Sequence, residues 1–452
     1  VHPATDTIAA IATAPGTGGI GIIRLSGPEA LSLLRLHFLP YKSSTAYTSH
    51  RLYYGTVITA RGQVLDEALA VYMRAPHTYT REDVVEFHCH GSYVVLQEVL
   101  RVLLESGARP AEPGEFTKRA FLAGRIDLTR AEAVVDLLQA QTEKSAHLAV
   151  HQLQGALYEH LQGIREGLIH ILALLEVAID FPDDDVEIVQ HDEVLARLQS
   201  QVLDPLTQLL AMADQGRIIR DGIKVVLAGQ PNVGKSSLLN TLLQEERALV
   251  TPSPGTTRDT IEERFTLHGI PVHLIDTAGI RPHEDPVEAL GIERARQKVQ
   301  QADLVLFLVD ASVGLAEAEW ELYDSLRDKP HLVVMNKCDL ASVQRLNDLR
   351  DQFPGTRVAT ISAKHQEGIQ ELLEAIYAQV IGESSELYEQ MTCAPNTRHR
   401  SILTKTLTAC TSLEAAMRQR APVDLLAVEV QSALDYLGDI TGVTTADEVL
   451  DL

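Results

Sequence analysis

The chain has 452 residues, of which 45% are hydrophobic, and it carries a formal net charge of −23. This length is enough for about three domains with substantial cores. No apolar run approaches the roughly 18 residues that a membrane span requires, and the negative charge disfavours broad contact with nucleic acid because it repels phosphates. Four scattered cysteines fit a reducing compartment. The composition therefore predicts a cytoplasmic protein without membrane contact.

The first 120 residues are predicted to form an α+β domain. Short apolar runs at 20–25, 68–72 and 84–88 alternate with turn-rich stretches and with two helical patterns. This mixture of short strand-like and helical segments is typical of an α+β fold.

Helical periodicity dominates the chain on both sides of residues 218–380. Apolar residues recur with three-to-four spacing at 130–152, 157–179, 194–212, 402–417 and 424–437. We predict that residues 121–217 and 381–452 form one discontinuous domain, a central helical bundle.

Residues 218–380 alternate strand-like and helical segments, which predicts an inserted, Ras-like, doubly wound α/β domain. Near its start, residues 229–236 read GQPNVGKS, a complete G-x-x-x-x-G-K-S loop between an apolar run and a helical pattern. In such a loop, backbone N–H groups point at phosphate oxygens and the helix N-terminus adds its dipole. Lys235 is expected to contact the β and γ phosphates, and Ser236 to bind Mg²⁺.

The nucleotide base is predicted from residues 336–339, which read N-K-x-D after an apolar run. Guanine presents an amino group beside a ring N–H, so a single carboxylate that accepts both hydrogen bonds selects it over adenine. Asp339 is expected to do this, with the stem of Lys337 along the base and residues 362–364 (SAK) closing over it. The sequence therefore predicts GTP rather than ATP.

A DTAG segment at 276–279 completes the predicted nucleotide site. Asp276 is expected to orient Mg²⁺ through water, and Gly279 to offer its N–H to the γ-phosphate. The next position holds a water-orienting glutamine in Ras-like switches, but here it is Ile280, whose side chain cannot form hydrogen bonds. One of the acids that follow could position the attacking water, or all could be solvated charges at a helix start. These acids are Glu284, Asp285, Glu288 and Glu293.

Longer strings around these motifs resemble one family. They are DTIAAIATAPGTGGIGIIRLSG at 6–27, PGEFTKRAFLAGRIDL at 113–128, AIDFPDDD at 178–185, GQPNVGKSSLLN at 229–240, PGTTRD at 254–259, DTAG at 276–279 and GIERA at 291–295. Together they are similar to the MnmE (TrmE) family of tRNA-modification GTPases, and the likeness runs from Asp6 to near Leu452. Era-type ribosome-assembly GTPases share the nucleotide motifs but not the flanking strings.

The resemblance implies a potassium-activated GTPase whose nucleotide domains pair across their active sites. A potassium ion at the phosphates would supply the positive charge that an arginine finger supplies elsewhere. The matching potassium ligands are Asn232, Thr251, Ser253 and Thr256. Thr257 matches a second Mg²⁺ ligand beside Ser236, and Glu288 matches the catalytic glutamate that positions water.

The residues expected to bind GTP fall in four groups along the chain. They are Asn232, Val233, Gly234, Lys235, Ser236 and Ser237; Thr251, Pro252, Ser253, Pro254, Gly255, Thr256 and Thr257; Asp276, Thr277, Ala278 and Gly279; and Asn336, Lys337, Cys338, Asp339, Ser362, Ala363 and Lys364. Lys235 and Glu288 are the residues expected to be catalytic.

The N-terminal domain resembles folate-binding modules of one-carbon transfer enzymes. The family implies that it dimerises and binds 5-formyltetrahydrofolate or a related tetrahydrofolate, with Arg24, Glu86 and Arg125 at the matching positions. An arginine can fork to a glutamate tail or a carbonyl, and a carboxylate can accept the two donors of a pterin's amino-pyrimidine edge. Without the resemblance, Arg24 and Glu86 are better explained as ordinary surface charges.

The family also implies a homodimer that works with an FAD-dependent partner of the MnmG type, as a heterotetramer. Together they add an aminomethyl or carboxymethylaminomethyl group to C5 of the wobble uridine of certain tRNAs. The family's terminal C-x-G-K motif would fall just past Leu452, so chemistry at the folate is not assigned to this chain's cysteines. The alternative is an Era-like ribosome-assembly or regulatory switch that binds RNA without modification chemistry.

Any direct tRNA contact is expected to be local, because most of the negative charge lies in the two helical segments. The candidate basic residues are Arg109, Lys118, Arg119, Arg125 and Arg130, together with Arg398, His399 and Arg400. Each cluster reads equally well as solvated surface, and much of the contact with tRNA is expected from the partner protein.

Overall fold

The computed structural model describes residues 6–42, 46–180, 191–245, 262–276, 302–382 and 391–442. The chain divides into two compact units, Val1–Glu132 and Ala133–Leu452. The first contains a mixed α+β fold, and the second contains both a helical bundle and an α/β sheet. The predicted classes are therefore confirmed, while the exact limits of three domains stay a prediction.

The first unit is built on a seven-stranded sheet. Its strands run in the order β3-β4-β5-β6-β2-β1-β7 and are antiparallel except for the parallel pair β1 and β7. The strands are β1 (Ile8–Ile11), β2 (Gly18–Ser26), β3 (Phe38–Pro40), β4 (Arg51–Ile58), β5 (Val64–Met73), β6 (Val84–Gly91) and β7 (Arg109–Pro110).

Alternation along the central strands separates the two faces of this sheet. Ile23 and Leu25 of β2 and Phe87 of β6 are fully buried in one core with helices α1 (Ala30–His37) and α2 (Tyr93–Glu105). The intervening positions face the other way, so Arg24 and Glu86, which are register partners on β2 and β6, share the opposite face. The sheet thus places two of the predicted folate-binding residues side by side.

A cluster of ion pairs ties helix α3 (Glu115–Leu122) to the edge of this sheet. The guanidinium of Arg119, only 6% exposed, donates to Asp6 Oδ1 at 2.8 Å, Glu82 Oε1 at 3.1 Å and Glu115 Oε1 at 3.0 Å. Arg109 pairs with both Asp6 and Glu115. Because the cluster neutralises its buried charges internally, it fixes α3 without leaving an unpaired ion.

Glu115 should make the stability of the first unit depend on acid pH. The hydrogen bond from Arg109, with those from the Glu112 N–H and Arg119, outweighs burial and lowers the pKa of Glu115 from 4.5 to about 2. A carboxyl group whose pKa is lowered by folding stabilises the fold above its unfolded pKa and stops doing so as pH falls through the folded pKa. We therefore expect Glu115→Gln to cost about 2 kcal/mol at pH 7, with the difference from wild type shrinking between about pH 4.5 and pH 2. Urea unfolding followed by circular dichroism measures this, and a constant difference across that range would contradict it.

The bundle in the second unit combines helices from both sides of the α/β sheet. One core contains Leu161 and Leu168 of the first segment together with Leu403, Val430 and Leu437 of the second. The helices of this core are α6 (Ala156–Asp180), α7 (His191–Leu198), a π-helical turn (Gln199–Leu203), α8 (Asp204–Asp221), α13 (Thr397–Arg418) and α14 (Val423–Thr441). Helices α4 (Leu128–Gln139) and α5 (Glu143–Gln154) precede them along the chain. Within the described parts of the chain, no helix is long and apolar enough to span a membrane.

The stretch with helical spacing over 130–152 forms two helices in the structure, α4 and α5. Helix α4 ends at Gln139, and Thr142 caps the N-terminus of α5. The Thr142 side chain accepts from the Ser145 N–H at 3.1 Å, and the Ser145 hydroxyl accepts from the Thr142 N–H. This reciprocal capping box starts a new helix. The apolar spacing carries across the break, which is why periodicity alone did not reveal it.

The α/β sheet has six strands in the order β13-β12-β11-β8-β10-β9, all parallel except for the β9–β10 pair. The strands are β8 (Ile223–Ala228), β9 (Glu262–Leu267), β10 (Ile270–Asp276), β11 (Leu304–Asp310), β12 (His331–Asn336) and β13 (Val358–Thr360). The helices between and after them are α9 (Lys235–Glu245), α10 (Glu317–Asp324), α11 (Val343–Arg350) and α12 (Ile369–Ile381).

Both faces of this sheet are buried, as a doubly wound fold requires. Val225 and Leu227 of β8 belong to one core, whereas Val226 and Ala228 belong to the core on the opposite face. Because β8, β10, β11, β12 and β13 are parallel, their carboxyl ends lie at one common edge of the sheet. Ligands bind at this edge in open α/β sheets. The predicted nucleotide motifs lie at this edge, where β8, β10, β12 and β13 end.

Candidate functional site

The loop after β8 has the backbone of a phosphate-binding loop. Gly229 and Gly234 have φ values of 149° and 99°, and a Cβ on Gly229 would lie 2.5 Å from the Leu308 carbonyl oxygen. Glycine at 229 is therefore required by the close approach to β11. At the end of the loop, the ammonium of Lys235 donates to the carbonyls of Gly229 and Gln230, both at 2.8 Å. This holds the lysine across the loop where phosphate oxygens bind.

Asn336 connects the phosphate loop to the loop that is expected to cover the base. Its side chain is 2% exposed, its Nδ2 donates to the Val233 carbonyl at 2.8 Å, and its Oδ1 accepts from the Ala363 N–H at 3.0 Å. A Cβ on Gly234 would lie 2.2 Å from Asn336 Nδ2, which explains the glycine there. The sequence placed Asn336 among the nucleotide-binding residues but did not reveal that it joins the two loops.

Asp339 lies in a 3₁₀ turn, Cys338–Leu340, which Lys337 separates from this asparagine. The hydroxyl of Ser362 donates to Asp339 Oδ1 at 2.7 Å, and His365 Nε2 lies 3.6 Å from Oδ2. The bond from Ser362 lowers the pKa of Asp339, so the carboxylate stays ionised. An ionised carboxylate is an acceptor for two hydrogen bonds, which is what the guanine edge needs.

A residue that the sequence analysis missed also contacts this site. Asp310, the last residue of β11, pairs through Oδ2 with the Lys337 ammonium at 2.6 Å. Only its position could have identified it, because Asp310 ends a parallel strand at the same edge as the other motifs. A single aspartate after an apolar run did not stand out from the sequence.

The three residues predicted to bind folate lie around one aromatic side chain of the first unit. Arg24 pairs with Glu86 at 2.7 Å, and its guanidinium carbon lies 5.9 Å from the centre of the Tyr79 ring. Arg125 lies 4.8 Å from the same ring and donates to the Tyr79 carbonyl at 3.1 Å. Glu86 also contacts His88 at 3.2 Å. The sequence did not single out Tyr79, which supplies a flat apolar surface between the two arginines.

Comparison with known proteins assigns the chain to a family. A model described as the MnmE helical domain matches residues 128–452, and one described as the GTP-binding protein TrmE N-terminus matches residues 7–125. A tRNA modification GTPase MnmE from Desulfotalea psychrophila is 51% identical over 99% of this chain and 96% of the relative. The chain belongs to the MnmE family. The prediction of a GTP-hydrolysing enzyme of tRNA modification is thereby confirmed.

Two further proteins are similar to all or part of the chain. The tRNA modification GTPase MnmE from Geobacter sulfurreducens is 45% identical over 99% of this chain and 97% of the relative. The solved G domain of the Thermotoga maritima FeoB iron transporter is 29% identical over 35% of this chain and 98% of that chain, with a TM-score of 0.27. At that score the structural likeness adds nothing to the family assignment.

Several site residues expected from the MnmE resemblance lie outside the described residues. They are Thr251, Pro252, Ser253, Pro254, Gly255, Thr256, Thr257, Thr277, Ala278, Gly279 and Glu288. Asp276 ends β10 at the common edge. Ser236 and Ser237 follow Lys235 in the first turn of α9, and Lys364 follows Ala363 in the turn after β13. Among the described residues, the structure therefore groups the phosphate loop, the N-K-x-D segment and the SAK segment.

Most of the arginines considered for tRNA contact are engaged within this MnmE-family chain. Arg109 and Arg119 belong to the ion-pair cluster with Asp6 and Glu115. The second cluster is likewise engaged, because Arg400 pairs with Asp214 at 2.6 Å, Arg398 donates to the carbonyls at 439 and 440, and His399 is fully buried. Arg119 and His399 are buried, whereas Arg109 and Arg400 are partly exposed and each is paired with a carboxylate of the chain.

Proposed function

We propose that this chain is a potassium-activated GTPase that works with an MnmG-type, FAD-dependent partner on tRNA. The pair adds an aminomethyl or carboxymethylaminomethyl group to C5 of the wobble uridine, using a one-carbon unit from tetrahydrofolate. The observation that carries this proposal is 51% identity with a tRNA modification GTPase over 99% of the chain. The grouped guanine-nucleotide motifs on the α/β sheet support binding of GTP. The separate cluster of Arg24, Glu86 and Arg125 supports binding of a tetrahydrofolate.

Loss of this chain should leave wobble uridines unmodified. Lys235 contacts the phosphates in this proposal, so Lys235→Ala should fail to restore modification in cells that lack the gene. The exposed Lys405→Ala on α13 should restore it fully and serves as the matched control. Mass spectrometry of nucleosides from the wobble position measures the outcome. Unchanged uridines in the deleted strain would defeat the modification proposal, and a GTP-dependent association with ribosomes would then favour the Era-like switch.

Potassium activation is proposed from the family match at Asn232, Thr251, Ser253 and Thr256. Asn232 supports it by its setting, since it is exposed within the phosphate loop and its carboxamide oxygen is a hard ligand suited to a potassium ion. When bound, the ion would offset charge that develops on the phosphates. Glu288 is proposed to position the attacking water, because Ile280 stands where a glutamine would do so.

A homodimer is proposed with this activation. On the first unit, the sheet face that carries Glu86 also exposes Leu52, Tyr54 and Leu69 at 54%, 54% and 36%. Contiguous apolar side chains on an open sheet face favour association with another surface. A second copy of the chain would cover this face next to the proposed folate site.

Hydrolysis should be fast in potassium and slow in sodium, and Asn232→Gly should remove the difference. Asn232 has φ +67°, where glycine is unstrained, so this variant deletes the carboxamide without disturbing the loop. We expect at least a tenfold lower rate for the variant in potassium and little change in GTP affinity. The rate per chain should also rise with protein concentration in potassium, as pairing of the nucleotide domains requires. Equal rates of wild type in the two salts would contradict the potassium site.

Folate binding is proposed at the cluster around Tyr79. A pterin ring fits between the charged edges of Arg24 and Arg125 and the aromatic face, and Glu86 can accept from its amino-pyrimidine edge. A surface cavity of about 470 Å³ adjoins the cluster and is lined in part by His77, Tyr79 and Arg125. When bound, the folate would supply a one-carbon unit, and these side chains would hold and orient it.

Glu86→Gln should weaken 5-formyltetrahydrofolate binding about tenfold, because a neutral amide accepts less strongly and offers one acceptor oxygen rather than two. The control is Glu98→Gln on α2, where a glutamate pairs with Arg101 away from the cluster. Titration calorimetry of the full chain gives both affinities. Absence of binding to the wild-type protein would remove the folate assignment and leave the GTPase unaffected.

A further inference from the structure

Lys337 is held in an unusual conformation at the guanine site. Its backbone is left-handed, with φ 61° and ψ 38°, which a non-glycine residue adopts only when its surroundings impose it. Its side chain is 31% exposed and its ammonium ends 2.6 Å from Asp310 Oδ2. The lysine is therefore fixed at both ends while its stem remains partly open to a ligand.

Asp310 is itself held in one orientation. Its Oδ1 accepts from the Ser312 N–H at 3.0 Å and from the Ser312 hydroxyl at 2.6 Å. Its backbone carbonyl accepts from Gly314 at 2.9 Å, and the neighbouring Ala311 N–H donates to the Asn336 carbonyl at 2.9 Å. Oδ2 is thus directed at Lys337 by contacts that do not involve the lysine.

The charge on Asp310 is maintained in this setting. Burial acts to raise its pKa, but the Lys337 ammonium and the two bonds from Ser312 outweigh it and hold the pKa below its usual value. Asp339, two residues after Lys337, is instead contacted by Ser362. The lysine ammonium therefore pairs with Asp310, while the carboxylate of Asp339 accepts from the neutral hydroxyl of Ser362.

We propose that Asp310 is a positioning residue for guanine nucleotides, which acts by holding Lys337 with its stem along the base. A free lysine side chain samples many rotamers, so ordering it on binding costs conformational entropy. Asp310 removes most of that cost before the nucleotide arrives. It also keeps the ammonium from closing on Asp339. This inference rests on GTP binding at the site and adds a residue that the nucleotide motifs do not include.

Asp310→Asn should weaken binding of GDP and GTP about tenfold in the full-length protein, because the amide keeps an acceptor for Ser312 but no longer attracts the ammonium. The KM for GTP should rise by a similar factor while kcat stays unchanged, since the group does not touch the phosphates. The matched control is Asp324→Asn, which removes an equal charge from an exposed pair with Arg327 on α10 and should leave both constants unchanged. Fluorescent GDP measures the affinity.

A double-mutant cycle with Lys337→Met distinguishes positioning from a general effect on the loop. If Asp310 acts through the lysine, Asp310→Asn should have no further effect on affinity in the Lys337→Met background. Additive losses would overturn the proposal, as would unchanged affinity in the single variant. Should Asp310→Asn fail to fold, Ser312→Ala tests the same contact by loosening Asp310, with an expected loss of about threefold that must also vanish without Lys337. Failure of the wild type to bind GDP would instead contradict nucleotide binding at this site, on which the inference rests.

Discussion

The carboxamide of Asn336 is the contact on which the nucleotide site depends. It joins the phosphate loop at Val233 to the base-covering loop at Ala363, and all three residues are buried. If the carboxamide were absent, the Val233 carbonyl and the Ala363 N–H would lose their partner away from water, at a cost of about 1–3 kcal/mol each. Thr241 adds a bond to the Ala363 carbonyl at 3.0 Å. The phosphate and base subsites are therefore one hydrogen-bonded structure rather than two adjacent loops.

The opposite edge of the same sheet is joined to the helical bundle. Asp303 accepts from the Arg217 guanidinium at 3.0 Å and from the Lys224 N–H at 2.9 Å. It therefore links α8 to the start of strand β8. The ring of His273 on β10 contacts the carbonyl of Asp221 at the end of α8 at 3.1 Å. Because β8 and β10 lead directly to the phosphate loop and to the DTAG segment, each strand connects the bundle to the nucleotide edge. A displacement of either strand must be accommodated in these contacts or transmitted to α8.

The parts of this architecture that could be predicted from sequence are those that local patterns specify. The alternation of strand-like and helical segments over 218–380 predicted the α/β fold, and the short motifs named residues, such as Val233, Asn336 and Ala363, that the structure brings into contact. The missed features depend on contacts between distant residues. Asp310 and Lys337 are 27 positions apart, and Tyr79 meets Arg125 across 46. Nothing in a local pattern distinguishes an aspartate that faces a lysine from one that faces water, because strand order and register decide it.

Charge explains how the proposed work on tRNA would be divided. A buried arginine, or one paired with a carboxylate, offers less positive charge to a polyanion, and the pairs of Arg119 with Asp6, Glu82 and Glu115 reinforce one another. Arg109 and Arg400 are likewise already neutralised. A chain with net charge −23 gains little from approaching RNA on most of its surface. We therefore expect the partner to supply most of the phosphate contacts, while this chain contributes the GTP-dependent step and the one-carbon carrier.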